Sequence, residues 1–142
     1  MNTTERKKIL VLCTGNSCRS QIAEGYLRHF AGDRADVYSA GVETHGLNPR
    51  AVETMAEDGI DIAHQTSNHV DEYRHIPFDI LITVCDHARE VCPYLPGIHR
   101  VIHHSFPDPA RVSGTEEEIR QAFRNVRDQI REFCRQFAEE EL

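Results

Sequence analysis

The chain has 142 residues, of which 27% are charged and 39% are hydrophobic, a composition typical of a globular domain with a buried core. Its net charge of -7 argues against nucleic acid and against an anionic membrane as general partners. No apolar run reaches the ~20 residues of a membrane span, and residues 1–8 lack the apolar core of a signal peptide. We therefore expect a cytoplasmic protein with a single domain over residues 1–142.

Apolar runs and helical patterns alternate along the chain. The predicted strands cover Lys8 to Leu12, Asp36 to Ala40, Phe78 to Val84 and Arg100 to His104. The predicted helices run from Ser20 to Ala31, from the Asn48-Pro49 cap signal to Gly59, and onward from the Thr115/Glu118 capping box. This alternation predicts an α/β fold, a single-domain open parallel sheet of about four strands with helices on both faces. The acidic end of the last helix, Glu139 to Glu141, opposes the helix dipole and is expected to fray.

A short polar loop, Cys13 to Ser20, follows the first predicted strand and opens the first predicted helix. Its backbone N–H groups can curl around an anion, and the positive end of the helix points at the same place. Arg19 adds a planar fork of donors, and the same field favours the thiolate of Cys13 over the thiol. The pattern predicts a cradle for a tetrahedral oxyanion, while a buried structural cysteine is the alternative. The predicted oxyanion-binding residues are Thr14, Gly15, Asn16, Ser17, Cys18, Arg19 and Ser20.

Three chemically active side chains each follow a predicted strand. They are Cys13, Cys85 and Asp108. Ligands of open α/β sheets bind outside the carboxyl ends of the strands, so we expect these side chains along one rim. The chain has five cysteines, an odd number, which argues against a structural disulfide framework in a reducing compartment.

A second pair of cysteines, Cys85 and Cys92, lies seven residues apart around a segment with good helix-forming residues. If that segment is helical, the two Cα atoms are about 10 Å apart, whereas a disulfide needs roughly 4.4–6.8 Å. A redox cycle between them therefore requires the segment to unwind. Ordinary packed cysteines and a zinc site with His87 are the alternatives. The histidines show no ligand spacing, His103-His104 are predicted to end a strand, and no metal site is expected.

Three motifs together resemble the thioredoxin-coupled arsenate reductases. They are the segment Cys13 to Gly25 (CTGNSCRSQIAEG), the spacing of Cys85 and Cys92, and the motif Cys92 to Pro96 (CPYLP). That family shares its fold with the low-molecular-weight protein tyrosine phosphatases, so the resemblance implies that fold over nearly the whole chain. It also implies arsenate as substrate and thioredoxin as partner, with thioredoxin reductase and NADPH upstream and no cofactor. We expect a monomer.

The resemblance also implies a role for each residue. Cys13 attacks arsenate, Arg19 and the loop N–H groups stabilise the developing charge, and Asp108 protonates the departing oxygen. Cys85 then attacks the Cys13–arsenic adduct and arsenite leaves. Cys92 finally displaces Cys13, which leaves a Cys85–Cys92 disulfide for thioredoxin.

Supporting residues of the loop follow from the same resemblance. The resemblance implies that the hydroxyl of Ser20 hydrogen-bonds the thiolate. It also implies that Asn16 holds the shape of the loop. Structural interpretations stay open: Asp108 can form an Asp-Pro turn and Ser20 can cap the helix. Cys18 and Cys134 are predicted to be packing residues.

One position departs from the family pattern. Some members bind potassium beside the loop through residues that match Asn16, Glu24, Ser39 and an aspartate, and this chain has Asn68 at the aspartate position. Because a carboxylate is lost, we expect weak or absent stimulation by potassium.

Two rival functions remain. One is a phosphatase acting on phosphotyrosine or small phosphate esters, which needs neither Cys85 nor Cys92. The phosphatases usually place an aromatic residue after Asp-Pro, where this chain has Ala110. The other is a non-catalytic oxyanion-binding redox sensor.

Overall fold

The computed structural model describes residues 6–92, 95 and 97–142. Pro93, Tyr94 and Pro96 of the motif after Cys92 lie outside the described residues, as do residues 1–5. The strands are β1 (Lys7–Cys13), β2 (Ala35–Gly41), β3 (Ile80–Thr83) and β4 (Arg100–His103). The helices are α1 (Arg19–Ala31), α2 (Pro49–Glu57), α3 (Asp86–Val91) and α4 (Glu116–Glu141).

Within the described ranges the four strands form one parallel sheet in the order β2-β1-β3-β4. This confirms the predicted open α/β sheet. The β3 ladder continues beyond the strand bounds, because Asp79 N donates to Lys8 O at 2.8 Å and Val84 N donates to Leu12 O at 3.1 Å. The predicted strand Phe78 to Val84 therefore contains all of β3, and it extends past β3 at both ends, where Asp79 and Val84 still pair with β1.

The central strand β1 is covered on both faces. Ile9, Leu10, Val11 and Leu12 are each 0% exposed, and successive side chains of a strand point to opposite faces. Such burial explains why the sequence of β1 is a continuous apolar run rather than an alternating one.

The long helix α4 packs against α1. Phe123, Ile130 and Cys134 are buried on α4, and Cys134 Sγ donates to Ala23 O at 3.7 Å. Cys134 is thus a core residue, as predicted. The helix begins at the predicted capping box of Thr115 and Glu118. None of the helices in the described ranges is long and apolar enough to cross a membrane.

The expected fraying of the acidic end is wrong, because α4 continues to Glu141. Two arginines compensate for the unfavourable position of the carboxylates at this helix end. Arg135 Nη1 lies 2.8 Å from Glu139 Oε1, and Arg100 Nη2 lies 2.7 Å from Glu141 Oε2. Because Arg100 belongs to β4, the second pair also fastens the end of α4 to the sheet.

The sheet brings the predicted site residues to one edge. Leu12 of β1 lies opposite Thr83 of β3, so Cys13 and Cys85 leave neighbouring strands at the same end. The chain leaves β4 at this same end of the sheet and continues to Asp108.

We predict that the buried face of α4 contributes strongly to the stability of the domain. Ile130→Ala should lower the free energy of unfolding by about 2–5 kcal/mol, because a fully buried isoleucine loses its contacts and leaves a cavity. Urea denaturation measures this value. The matched control Val101→Ala, at a position 63% exposed, should change it by no more than about 0.5 kcal/mol. Equal losses in the two variants would contradict this description of the core.

Candidate oxyanion site

The loop between β1 and α1 is shaped by the segment that follows β2. Four loop carbonyls accept backbone hydrogen bonds from that segment: Val42 N to Cys13 O (3.2 Å), Glu43 N to Thr14 O (2.8 Å), His45 N to Gly15 O (2.9 Å) and Asn48 N to Ser17 O (3.0 Å). Because these carbonyls point outward, the N–H groups of the loop are turned toward its centre. In the described part of the chain, no side chain caps the start of α1 at Cys18, so the N–H groups of its first turn remain available to an anion.

Two glycines permit this close packing. A Cβ atom at Gly41 would lie 2.3 Å from Glu43 O, 2.7 Å from Thr14 O and 2.8 Å from Asn16 N, all backbone atoms that cannot move independently. A Cβ atom at Gly15 would lie 2.4 Å from Nδ1 of His45, whose ring covers this side of the loop. Glycine at position 41 lets the segment after β2 approach the loop, and glycine at position 15 leaves room for the ring of His45.

Asn16 holds the loop from inside. It is fully buried and its backbone is left-handed, with φ of 48°, a conformation that asparagine tolerates better than most residues. Its Nδ2 donates to Ser20 Oγ at 2.8 Å and to Ser39 Oγ at 2.9 Å, while its Oδ1 accepts from Asn68 N at 2.7 Å. One side chain therefore ties the loop to α1, to β2 and to the chain around Asn68.

Ser20 lies beside the sulfur of Cys13. Its Oγ is 2.9 Å from Cys13 Sγ, and it already accepts a hydrogen bond from Asn16. A thiolate can only accept, so in the ionised state of Cys13 the Ser20 O–H donates to the sulfur and stabilises its charge. The alternative that Ser20 caps the helix is wrong, since Cys18 occupies the cap position and Ser20 lies inside α1.

Arg19 and Asp108 face each other across the loop. Arg19 Nη1 donates to Phe106 O at 3.0 Å, and Arg19 Nη2 lies 3.6 Å from Asp108 Oδ2. The other carboxylate oxygen of Asp108 accepts from Ala110 N at 3.0 Å, so the residue does form the Asp-Pro turn while also facing the site. The turn fixes the carboxylate beside the guanidinium.

Cys85 reaches the loop from the neighbouring strand. It is 4% exposed, and its Sγ lies 3.3 Å from Thr14 Oγ1. Cys92 is half-buried, and burial raises the pKa of its thiol. The two cysteines are the cap residues on either side of α3, so the segment between them is helical, the case in which they are too far apart for a disulfide.

Cys18 is a packing residue, as predicted. Burial raises the pKa of its thiol well above the ordinary value, and the charges of Asp108 and Cys13 raise it further. Cys18 therefore stays a thiol at neutral pH and contributes its backbone, rather than its sulfur, to the loop.

A cavity of about 270 Å³ opens over the loop. The described residues that line it are Cys13, Thr14, Gly15, Ser17, Cys18, Arg19, His45, Asp108, Ala110 and Arg111. His45 and Arg111 were not identified from the sequence, and neither lies in a recognisable motif. Of the predicted loop residues, Asn16 and Ser20 are absent from the lining and lie behind it, where they support the loop. The arrangement can hold a tetrahedral oxyanion against a nucleophilic sulfur.

The residues expected to match a potassium site lie behind the loop. Ser39 Oγ donates to Glu24 Oε1 at 2.6 Å, and Arg28 Nε donates to Glu24 Oε2 at 2.8 Å. Asn68 Oδ1 accepts from Thr66 Oγ1 at 2.6 Å. The expected weakness of potassium stimulation stays a prediction. No group of three or more metal-ligating side chains is found in the ranges that the structure describes.

Comparisons with known proteins cover almost the whole chain. The sequence profile of the family "Low molecular weight phosphotyrosine protein phosphatase" matches residues 8–142. An arsenate reductase of Halalkalibacterium halodurans is 50% identical over 134 residues, which are 94% of this chain and 96% of that protein. An arsenate reductase of Bacillus subtilis is 50% identical over 135 residues, 95% of this chain and 97% of that protein. A solved arsenate reductase in a phosphate-binding state has a TM-score of 0.79 at 30% identity, covering 94% of this chain and 98% of that one.

We predict that Ser20 activates Cys13. Ser20→Ala should slow the alkylation of Cys13 by iodoacetamide at neutral pH by about tenfold or more, because a hydrogen bond to a charged sulfur is lost. Peptide mass mapping separates Cys13 from the other cysteines. The control Ser113→Ala changes an exposed serine and should leave the rate unchanged. A wild-type rate in Ser20→Ala would show that the hydroxyl does not stabilise the thiolate.

Proposed function

The chain belongs to the low-molecular-weight phosphotyrosine protein phosphatase family, and from this premise we propose that it reduces arsenate to arsenite through Cys13, Cys85 and Cys92. The arsenate reductases that are 50% identical to it support this substrate. The relay would be regenerated by thioredoxin, with thioredoxin reductase and NADPH upstream. Arsenic detoxification in the cytoplasm is the corresponding cellular role, since the relay needs a compartment that keeps thiols reduced.

The observation that carries the proposal is the contact between Cys85 and the loop. Cys85 Sγ lies 3.3 Å from Thr14 Oγ1, next to the residue that bears the attacking sulfur. Hydrolysis of a phosphate ester needs one cysteine, so it gives no role to a second cysteine in this place. Reduction needs two electrons from a pair of thiols, and the contact of Cys85 with the loop supports Cys85 as the second thiol of the proposed relay.

In the first step Cys13 forms a bond to arsenic. Arsenate enters the cavity, where the loop N–H groups and Arg19 contact its oxygens, and the Cys13 thiolate attacks the arsenic atom. One oxygen leaves as water with a proton from Asp108, which faces Arg19 across the site. The product is a Cys13–arsenic(V) adduct.

In the second step Cys85 attacks the sulfur of Cys13. The electron pair of the sulfur–arsenic bond stays on arsenic, which leaves as arsenite, and a Cys13–Cys85 disulfide forms. Cys92 then attacks the sulfur of Cys85 and releases the Cys13 thiolate. The resulting Cys85–Cys92 disulfide is reduced by the dithiol of thioredoxin.

The last exchange requires α3 to unwind. Cys85 and Cys92 are seven residues apart around this helix, about 10 Å between Cα atoms, against roughly 4.4–6.8 Å in a disulfide. Burial raises the pKa of the Cys92 thiol in the helical state, so unwinding also favours the thiolate by returning the sulfur toward water.

A phosphatase is the second candidate, and the matching family profile favours it. The loop permits a cysteinyl-phosphate intermediate, so weak phosphatase activity is proposed as a side reaction. The lining of the cavity in the described ranges offers one ring, the imidazole of His45, for stacking on an aryl ester, and Ala110 follows Asp-Pro.

Arsenate and thioredoxin are the proposed partners of a monomer that binds neither nucleic acid nor a membrane.

Replacing each cysteine of the relay should stop the reaction at the step that this cysteine carries out. Cys13→Ser and Cys85→Ser should release no arsenite, because the adduct either never forms or is never resolved. Cys92→Ser should release arsenite in a single turnover and then stop as the Cys13–Cys85 disulfide. Arsenite release and arsenate-dependent NADPH oxidation with thioredoxin and its reductase measure these outcomes.

The matched control is Cys134→Ala, which removes a core cysteine and should keep multiple turnovers. Full activity in Cys85→Ser and Cys92→Ser, together with rapid hydrolysis of a phosphate ester, would replace the reductase with the phosphatase. Absence of turnover in the wild type would favour an oxyanion-binding sensor.

A further inference from the structure

Three side chains connect the sheet to the first turn of α3. The His103 ring lies between Thr83 and Asp86: its Nδ1 is 2.7 Å from Thr83 Oγ1, and its Nε2 is 2.8 Å from Asp86 Oδ1. A carboxylate only accepts hydrogen bonds, so Nε2 donates to Asp86, and in the neutral ring Nδ1 accepts from the Thr83 hydroxyl. Thr83 and His103 are paired in the β3–β4 register, which fixes the ring relative to the sheet.

The helix that these bonds hold is weak on its own. It has six residues, Asp86–Val91, and within the described ranges the side chain of its cap residue, Cys85, accepts no hydrogen bond from the N–H groups of the first turn. Isolated helices of this length are unstable in water, so contacts with the rest of the protein keep α3 folded. Ala88 supplies one such contact by its burial, and the Asp86–His103 bond supplies another at the end next to Cys85.

We propose that Thr83, His103 and Asp86 form a clasp that keeps α3 folded and so sets the rate at which Cys85 and Cys92 meet. The inference rests on the proposed function for its biological use. His103 is a positioning residue, because it acts through Asp86, the residue directly after Cys85. Unwinding from this end must break the bond between His103 Nε2 and Asp86 Oδ1 before the sulfur of Cys85 can turn toward Cys92.

The clasp is tested without arsenate, so its outcome does not depend on the proposed substrate. In a Cys13→Ser background, the thiolate of Cys92, the more exposed of the two cysteines, attacks oxidised glutathione to give a mixed disulfide and one glutathione. The Cys85 thiolate then attacks the Cys92 sulfur, forms the Cys85–Cys92 disulfide and releases the second glutathione. Quenched samples and peptide mass mapping give the rate of this second, intramolecular step, and hydrogen exchange of residues 86–91 reports the opening of the helix.

Asp86→Ala and His103→Ala should each raise the closure rate and the amide exchange about fivefold, the effect of losing one hydrogen bond in a local opening. The double variant should equal the single variants, because both remove the same bond. Asp86→Asn keeps an acceptor oxygen and should stay close to wild type. Glu90→Ala removes an exposed carboxylate from the same helix outside the clasp and should leave both rates unchanged. The melting temperature of the two single variants should fall by only a few degrees, about 5 °C or less, as expected for the loss of one native hydrogen bond, so the variants stay folded.

Unchanged or slower closure in the two single variants would overturn the clasp, and so would effects that multiply in the double variant. A failure of arsenate turnover in the cysteine variants would overturn the proposed function instead. In that case the clasp would still control the rate at which Cys85 and Cys92 form a disulfide, without a role in arsenate reduction.

Discussion

The site depends on the amide of one buried residue, Asn16. A loop that presents its N–H groups inward must send its carbonyls outward, and a left-handed residue in its middle makes that turn possible. Asn16 then uses its side chain to fix the turn, donating to Ser20 and Ser39 and accepting from the backbone of Asn68. The hydrogen bond from Asn16 also holds the hydroxyl oxygen of Ser20 beside the sulfur of Cys13. The shape of the loop and the position of the Ser20 hydroxyl beside the sulfur therefore share one cause.

The fold places two demands on the chain after β3. The parallel sheet brings Cys85 beside the loop, and the segment after it folds into α3, which separates Cys85 from Cys92 by a length that a disulfide cannot span. A stable protein and the proposed redox cycle thus need different conformations of the same six residues. A short helix held by few contacts meets both demands, because its opening costs much less than global unfolding.

The sequence was sufficient for the parts of the site that are contiguous or follow from strand ends. The loop from Cys13 to Ser20 and the placement of Cys13 and Cys85 on one rim were predicted, and the segment between Cys85 and Cys92 was recognised as helix-forming. Each of these rests on local pattern or parallel topology. The hydrogen bonds from residues 42–48 to the loop carbonyls were not, because backbone pairing between distant loops leaves no residue pattern. His45 was missed for the same reason. The fraying of α4 was predicted wrongly because the ion pair of Glu141 with Arg100 joins residues that are far apart in sequence.

The affinity of Asn16→Ala for inorganic phosphate, a tetrahedral oxyanion that leaves the cysteines reduced, tests the central claim most directly. Isothermal titration calorimetry should show binding weakened by about tenfold or more relative to wild type, because a buried side chain that makes three hydrogen bonds to the loop and its supports is lost. Circular dichroism should show that the variant stays folded, and Asn125→Ala on the exposed face of α4 should bind as the wild type does. Phosphate affinity equal to that of the wild type in folded Asn16→Ala would show that the loop holds its shape without the amide and would contradict the account.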